Sequence, residues 1–350
     1  MRTPFAVLCL VITGLVLTPP AEALAKAPQM APQMAPQMAP KVLVITMFPP
    51  ETRPWLDGEH LTTKVALAGM DAEFPDVSCN AQGLCAITTG MGFANAASTL
   101  SALIYSGKFD LRRTYFIIDG IAGVDPKDGT LGSAHWARYA VDTTLRHEID
   151  PRQMPAEWTT SFLGLGTAAP GQKPAHLAGT EIYELNEAFL QKAYALSRDT
   201  PLVDSPLAQA YRQHYDGAVA SGAPFVSICD TASADLYWHG SLMAGQVEAW
   251  TALLSDGRGN YCTSQMEDNA TLTALKRGAD AGLVDFGRVA LLRSASNFDR
   301  EGKGQTAAES LTANSGGFMI ALTNGYRVGA VVAHAILKDW PAWSGGIPAH

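Results

Sequence analysis

Thr114-Tyr115-Phe116-Ile117-Ile118-Asp119-Gly120-Ile121-Ala122-Gly123 opens with an unbroken aromatic and β-branched run and closes on two glycines. A strand with one wet face alternates polar and apolar residues. A strand covered on both faces is apolar throughout. Residues 114–118 are of the second kind, so they predict a buried strand of a parallel sheet. Gly120-Ile121-Ala122-Gly123 is expected to end it in a turn.

The flanking sequence repeats this pattern. Lys41-Val42-Leu43-Val44-Ile45-Thr46 is a second such strand, stopped by Pro49 and Pro50. Residues 85–90 form another, leading through Met91-Gly92-Phe93 into a helical pattern that lasts to Ile104. Residues 133–141, 225–229, 261–264 and 288–294 read as further strands. Helical periodicity covers 181–197, 206–215, 242–254, 267–278 and 316–338. Alternation of this kind predicts the α/β class. The expected architecture is a single three-layer domain over residues 41–343, with a mixed, mostly parallel central sheet flanked by helices and a short tail at 344–350.

The chain has 350 residues, a formal net charge of -8, 47% hydrophobic residues and 17% charged ones. Such a composition builds a core and is not that of a disordered chain. The acidic balance, without any basic run, argues against a nucleic-acid partner.

Residues 1–25 combine Arg2, an apolar run from Phe5 to Leu17, a Pro19-Pro20 break and small residues beyond it. These are the parts of a cleavable secretory signal. The run is shorter than the roughly 20 residues of a spanning helix. Later apolar stretches are interrupted by charge, Gly or Pro. The expectation is a periplasmic or secreted protein that is not an integral membrane protein. Residues 26–40 carry an Ala-Pro-Gln-Met repeat, which reads as an extended linker.

Cys9 would leave with the signal, so Cys79, Cys85, Cys229 and Cys262 remain. An even number in an exported chain suggests disulfides. Cys79 and Cys85 bracket a hairpin-like tip, so the favoured pairing is Cys79–Cys85 with Cys229–Cys262. Without a Cys-x-x-Cys pair or a His at ligand spacing, no metal is expected.

In open α/β sheets, ligands bind beyond the carboxyl ends of the strands. The residues expected there are Phe48, Glu51 and Arg53; Gly90, Gly92 and Asn95; Asp119, Gly120 and Gly123; Asp230, Thr231, Ser233 and Asp235; Met266 and Glu267; and Asn297 and Asp299. Carboxylates, amides and Gly turns converging in this way suit a polyhydroxyl ligand with a polar ring. Each feature alone has an ordinary structural reading, such as a turn, a helix start or core packing.

The order of the motifs resembles the purine nucleoside permease family, whose members share the fold of the nucleoside phosphorylases and nucleosidases. The resemblance covers roughly residues 41 to 340. It is carried by TTGMGFANAA at 88–97, DGIAGVDP at 119–126, TASADLYW at 231–238, SQMEDNA at 264–270 and RSASN at 293–297.

The resemblance implies purine nucleosides as partners and a site that handles an N-glycosidic bond. Glu267 would hold ribose hydroxyls, and Met266 would offer an apolar surface beneath the sugar. Gly90, Gly92 and Gly120 would bring backbone N–H groups close to an anion or a water. Asn95, Ser233 and Asp235 would complete the substrate side. Asn297 would bond the purine, where nucleosidases carry an Asp that can hand over a proton; Asp299 is the nearby alternative. Glu51 would activate water. No cofactor is implied. Inorganic phosphate is a candidate co-substrate, with Arg53, Arg138 and Arg293 as candidate anchors. The expected function is nucleoside recognition outside the cytoplasm with phosphorolytic or hydrolytic cleavage linked to uptake. The alternative is a non-catalytic nucleoside-binding protein that assists transmembrane transport. The resemblance also leaves room for a homo-oligomer of no fixed number.

Overall fold

The structure is a computed structural model that describes residues 37–349. The expected signal, and the linker up to residue 36, lie outside the described residues. The last linker residues are part of the domain. Met38 bridges Phe109, donating its N–H to Lys108 O at 2.9 Å and accepting from Asp110 N–H at 2.8 Å.

In chain order the elements are β1 (Val42–Thr46), α1 (Pro49–Gly58), β2 (Thr63–Ala66), β3 (Asp76–Cys79), β4 (Leu84–Thr88), α2 (Phe93–Tyr105) and β5 (Tyr115–Val124). Then come β6 (Ala134–Trp136), β7 (Tyr139–Asp142), a small hairpin of β8 (His147–Glu148) and β9 (Phe162–Leu163), β10 (Ile182–Glu184), α3 (Glu187–Ser197) and α4 (Pro206–Tyr211). The remainder is β11 (Val226–Ile228), β12 (Asp230–Ser233), α5 (Ser241–Leu254), β13 (Tyr261–Gln265), α6 (Asp268–Asp280), β14 (Val289–Phe298), α7 (Ala307–Thr312), α8 (Gly317–Lys338) and α9 (Trp340–Trp343).

Twelve strands join in one mixed sheet. Its centre is parallel: β1 lies between β4 and β5, and β14 runs along the other side of β5. These four strands therefore present their carboxyl ends at one edge. Antiparallel pairs occur where β13 meets β5, where β6 meets β14, and in the β2–β3–β4 and β10–β7 margins.

The central strands are buried on both faces, as their composition requires. Leu43, Ile45, Phe116 and Ile118 pack with Leu100, Leu103, Leu272 and Leu275 of α2 and α6. Their neighbours Val42, Val44, Tyr115 and Ile117 face the opposite way, onto Trp55, Phe189, Val328 and Val332 of α1, α3 and α8. Fully burying each aliphatic side chain contributes about 1.5–3 kcal/mol. The disulfides pair Cys79 with Cys85, which face each other across β3 and β4, and Cys229 with Cys262.

Several elements differ from the sequence reading. β5 does not end at Gly120; it continues to Val124. Gly120 and Gly123 serve close packing instead of a turn. A Cβ at Gly120 would collide with the Arg293 guanidinium, and one at Gly123 would lie 2.8 Å from Ser264 Oγ. Residues 133–141 form two strands. The chain bends at Arg138 and Tyr139, whose N–H groups both donate to Asp230 Oδ1 (3.0 and 2.8 Å). The 181–197 segment starts as β10, held by antiparallel pairing to β7, and turns helical only after Asn186 caps α3. The 206–215 helix breaks at Tyr211 into a single 3-10 turn. Asp230, Thr231 and Ser233 belong to β12 itself, and β14 runs through Asn297 to Phe298.

One later segment is long and apolar enough to cross a membrane by length and composition: α8, Gly317–Lys338. It was expected that no such stretch would occur. In the fold, 61% of its apolar window is buried, and Val328, Val332, Ala333 and Ile336 sit in the core beside β14.

Candidate functional site

The carboxyl end of β1 delivers Met47 and Phe48, and Pro49-Pro50 then start α1 without needing backbone donors. Glu51 falls in the first turn of α1, with its carboxylate turned inward. Oε2 accepts the Met47 N–H at 2.7 Å and Oε1 accepts the Ile121 N–H at 2.8 Å. Glu51 thus ties the end of β1 to the middle of β5.

β4 is followed by Gly90 and Gly92, with φ of 85° and 88°, a region in which a side chain is strained. Gly92 donates its N–H to Glu267 Oε1 at 3.2 Å. Glu267 itself stands at the junction of β13 and α6. Arg293, inside β14, is the common partner. Its guanidinium contacts Asp268 Oδ1 at 2.5 Å, Glu267 Oε2 at 3.3 Å and Ile121 O at 3.0 Å.

Glu51, Glu267 and Arg293 line one cavity of about 150 Å³. Its polar wall holds Glu51, Ser264, Gln265, Glu267, Arg293, Ser296 and Asn297. Its apolar wall holds Met47, Phe48, Met91, Ile121, Leu236, Tyr237, Trp238 and Met266. Asn297 is oriented from both sides: Oδ1 accepts from Ser296 Oγ at 2.9 Å, and Nδ2 donates to Phe298 O at 2.9 Å. A few fixed polar groups on an otherwise apolar cleft are what a small polar-ringed ligand requires.

Burial dominates the electrostatics. It raises the Glu51 carboxyl to about 8, although Arg293 and the Ile121 and Met47 N–H groups favour its charged form. Burial likewise raises Glu267 and Asp268, with Arg293 opposing in both cases. Burial acts to lower the Arg293 guanidinium, but Asp268 and Glu267 together hold it above its ordinary value. A carboxyl poised near neutrality is suited to moving a proton. Beneath this layer Asp119 is raised by burial to about 7 and accepts from Trp55 Nε1 at 2.7 Å.

The structure brings Glu51, Met266, Glu267 and Asn297 together on the cavity wall and leaves other expected residues off it. Asn95 turns back to Met91 O at 2.8 Å. Ser233 is locked between Gln265 and Asn269 (2.7 and 2.8 Å), because it lies within β12. Asp299 is buried in an ion-paired cluster with Arg300 (2.7 Å) and Tyr261 (2.6 Å). Gly90 and Gly120 shape the surrounding backbone. Asp235 accepts the Phe93 N–H at 3.0 Å, which pins its loop to the start of α2.

The expected phosphate anchors diverge. Arg53 pairs with Asp57 and Arg138 with Glu187, both at exposed positions. Only Arg293 reaches the cavity, with its charge already engaged. Ser264, Gln265, Asp268 and the Leu236-Tyr237-Trp238 loop were not singled out as site residues. Adjacency to Met266-Glu267 is the signal that could have found the first three.

A family model described as purine nucleoside permease (NUP) matches residues 39–348. A probable purine nucleoside permease of Schizosaccharomyces pombe is 38% identical over 320 residues, covering 87% of this chain and 91% of that protein. A purine nucleoside permease of Candida albicans is 34% identical over 306 residues, covering 86% and 75%. Among solved structures, the 5'-methylthioadenosine/S-adenosylhomocysteine nucleosidase of Neisseria meningitidis aligns with a TM-score of 0.51 at 16% identity, over 85% of this chain and 99% of that one. The futalosine hydrolase of Helicobacter pylori aligns with a TM-score of 0.50 at 14% identity, over 85% and 98%. At such identities the structural matches establish the fold, a nucleoside phosphorylase-like α/β domain. Together with the family model, the two sequence relatives lead to one conclusion: this chain belongs to the purine nucleoside permease family.

Proposed function

We propose that the protein captures purine nucleosides outside the cytoplasm and hydrolyses their N-glycosidic bond, in support of nucleoside uptake. The observation that carries this reading is the convergence of Glu51, Glu267, Arg293 and Asn297 on one cavity. Cleavage leaves positive charge on the ribose and negative charge on the departing purine. Glu267 can accept hydrogen bonds from sugar hydroxyls, and its carboxylate favours the cationic ribose. Glu51, in the ionised form that becomes populated as pH rises toward about 8, takes a proton from the attacking water. Asn297 stabilises the purine by hydrogen bonding.

Water is favoured over phosphate as the acceptor. Glu51 and Glu267 both face the cavity, and Arg293 is shared between Glu267 and Asp268. A phosphate dianion placed there would meet the Glu267 carboxylate and a guanidinium already occupied. Export rests on the signal-like residues 1–25, and the link to uptake rests on the names of the relatives.

A second reading is favoured by Asn297. An amide cannot hand a proton to the leaving base, so the site would serve a binding protein that assists transport. One experiment separates the two. Purified protein is incubated with inosine, adenosine and guanosine, with and without phosphate, and free base is followed. Release independent of phosphate supports hydrolysis, and release only with phosphate points to a phosphorylase. Calorimetric binding without release would leave binding alone, and neither binding nor release would remove both readings.

A further inference from the structure

We infer that His135, Cys229 and Cys262 form a buried site for a thiophilic divalent cation of the zinc type when the Cys229–Cys262 bond is reduced. A ring nitrogen of His135 and the two sulfurs lie within 4.8 Å of one another, and all three residues are buried. None of the three residues lines the nucleoside cavity, so the inference does not depend on the function proposed above.

The fold brings these residues together from distant parts of the chain. His135 lies in β6 and is paired in register with Ser227 of β11. Cys229 follows β11 directly, and its N–H donates to Trp136 O at 3.1 Å, which holds it beside β6. Cys262 lies in β13, and its carbonyl accepts the Asp125 N–H at 2.8 Å. No short ligand motif marks these positions, because the ligands come from three separate segments of the chain.

His135 is the observation that points to an ion. Its Nδ1 is 2.8 Å from Ser227 Oγ, while its Nε2 is buried with no hydrogen-bond partner. A buried ring nitrogen left unpaired is costly. A tautomer that donates from Nδ1 to Ser227 leaves the Nε2 lone pair free.

Charge selects the ion. Two thiolates and one divalent cation make a neutral unit, whereas a monovalent ion would leave a net negative charge among Val124, Ala295 and Phe298. Sulfur and imidazole donors suit zinc, and three protein ligands leave one position for water. The chemistry is a two-electron exchange. A dithiol reductant becomes a disulfide as the Cys229–Cys262 bond accepts two electrons and two protons. The cation then displaces the two thiol protons. Exchange with a small-molecule disulfide, which takes up the two electrons and two protons and becomes a dithiol, re-forms the Cys229–Cys262 bond and expels the ion, so occupancy reports the redox state.

The test uses the full chain reduced anaerobically with a phosphine and titrated with Co2+, then with Zn2+. The expected result is uptake of one equivalent, with sulfur-to-cobalt charge-transfer absorption that Zn2+ abolishes. Oxidised protein should take up none. His135→Ala and Cys229→Ser should lose the signal, and the double variant Cys79→Ser/Cys85→Ser should keep it. His135→Gln provides a second variant, with circular dichroism reporting that the fold is kept. The inference is overturned if the reduced wild type shows no uptake, if a folded His135 variant binds as well as wild type, or if the signal follows Cys79 and Cys85.

Discussion

Arg293 Nη2 stands 2.5 Å from Asp268 Oδ1 and 3.3 Å from Glu267 Oε2, so one buried guanidinium is shared by two consecutive acidic side chains. All three side chains are nearly inaccessible. Removing one member of such a cluster leaves uncompensated buried charge, which costs about 3–5 kcal/mol. Arg293→Met is expected to fall in that range, measured as the change in urea unfolding free energy. Asp268→Asn keeps a hydrogen-bonding partner for Arg293 and leaves Glu267 paired, so its loss should be smaller. Equal losses would mean that Arg293 serves Asp268 alone.

Glu51 accepts two backbone N–H groups and faces the cavity, so it has both a structural and a chemical role. Glu51→Gln keeps the size and one acceptor but cannot take a proton. Under the hydrolytic proposal, base release should drop by about 10²–10⁴-fold, the usual contribution of a general base. Nucleoside affinity measured by calorimetry should change little by comparison. A parallel loss of affinity and turnover would instead indicate that Glu51 only shapes the pocket.

The raised carboxyls also predict how stability varies with pH. Burial holds Glu51 near about 8 and Asp119 near about 7, both above their ordinary values. The folded protein therefore binds these protons more tightly than the unfolded chain does. Their contribution is fully present below the unfolded values and is lost as pH rises through the folded ones. The melting temperature should fall between about pH 5 and 8. Exposed carboxyls held low by partners, such as Asp110 beside Arg112, act in the opposite sense only at lower pH. Asp119→Asn keeps an acceptor for Trp55 Nε1 and removes one titration, so its melting curve should be flatter across this window. An unchanged slope would mean that Asp119 does not titrate there.

The parallel core was legible because its strands are apolar on both faces. Val42 and Val44 face one helix layer and Leu43 and Ile45 the other, and no other arrangement buries such a run. Glu51 and Met266-Glu267 were legible because each directly follows a strand that ends at the cavity edge. Ser233 was not, because it lies inside β12, and Asp299 was not, because β14 runs on to Phe298 and delivers it to Tyr261 and Arg300. Gly120 misled for a related reason. A glycine in a strand can mark a turn or the close approach of a neighbour, and only the tertiary position of Arg293 decides between them. Arg53 and Arg138 were plausible anion ligands by residue type alone. Their partners, Asp57 one turn further along α1 and Glu187 at the start of α3, draw them away.

Asn297 provides the sharpest test of whether the site cleaves its ligand. Its Nδ2 donates to Phe298 O, so an aspartate there would place one oxygen against a carbonyl. That contact, in a cavity whose facing wall is apolar, favours the protonated acid. Asn297→Asp would thus present a carboxylic acid to the leaving purine, where the amide offers only a hydrogen bond. If protonation of the base limits cleavage, the variant should release base at least about 10-fold faster, within the usual range for general acid catalysis. The gain should fade as pH rises through the new acid's pKa. Asn297→Ala should instead lower both affinity and turnover, since it removes the hydrogen bond without supplying a proton. Base release by Asn297→Asp that stays at or below the wild-type rate across this pH range would show that proton delivery to the purine is not what limits this protein.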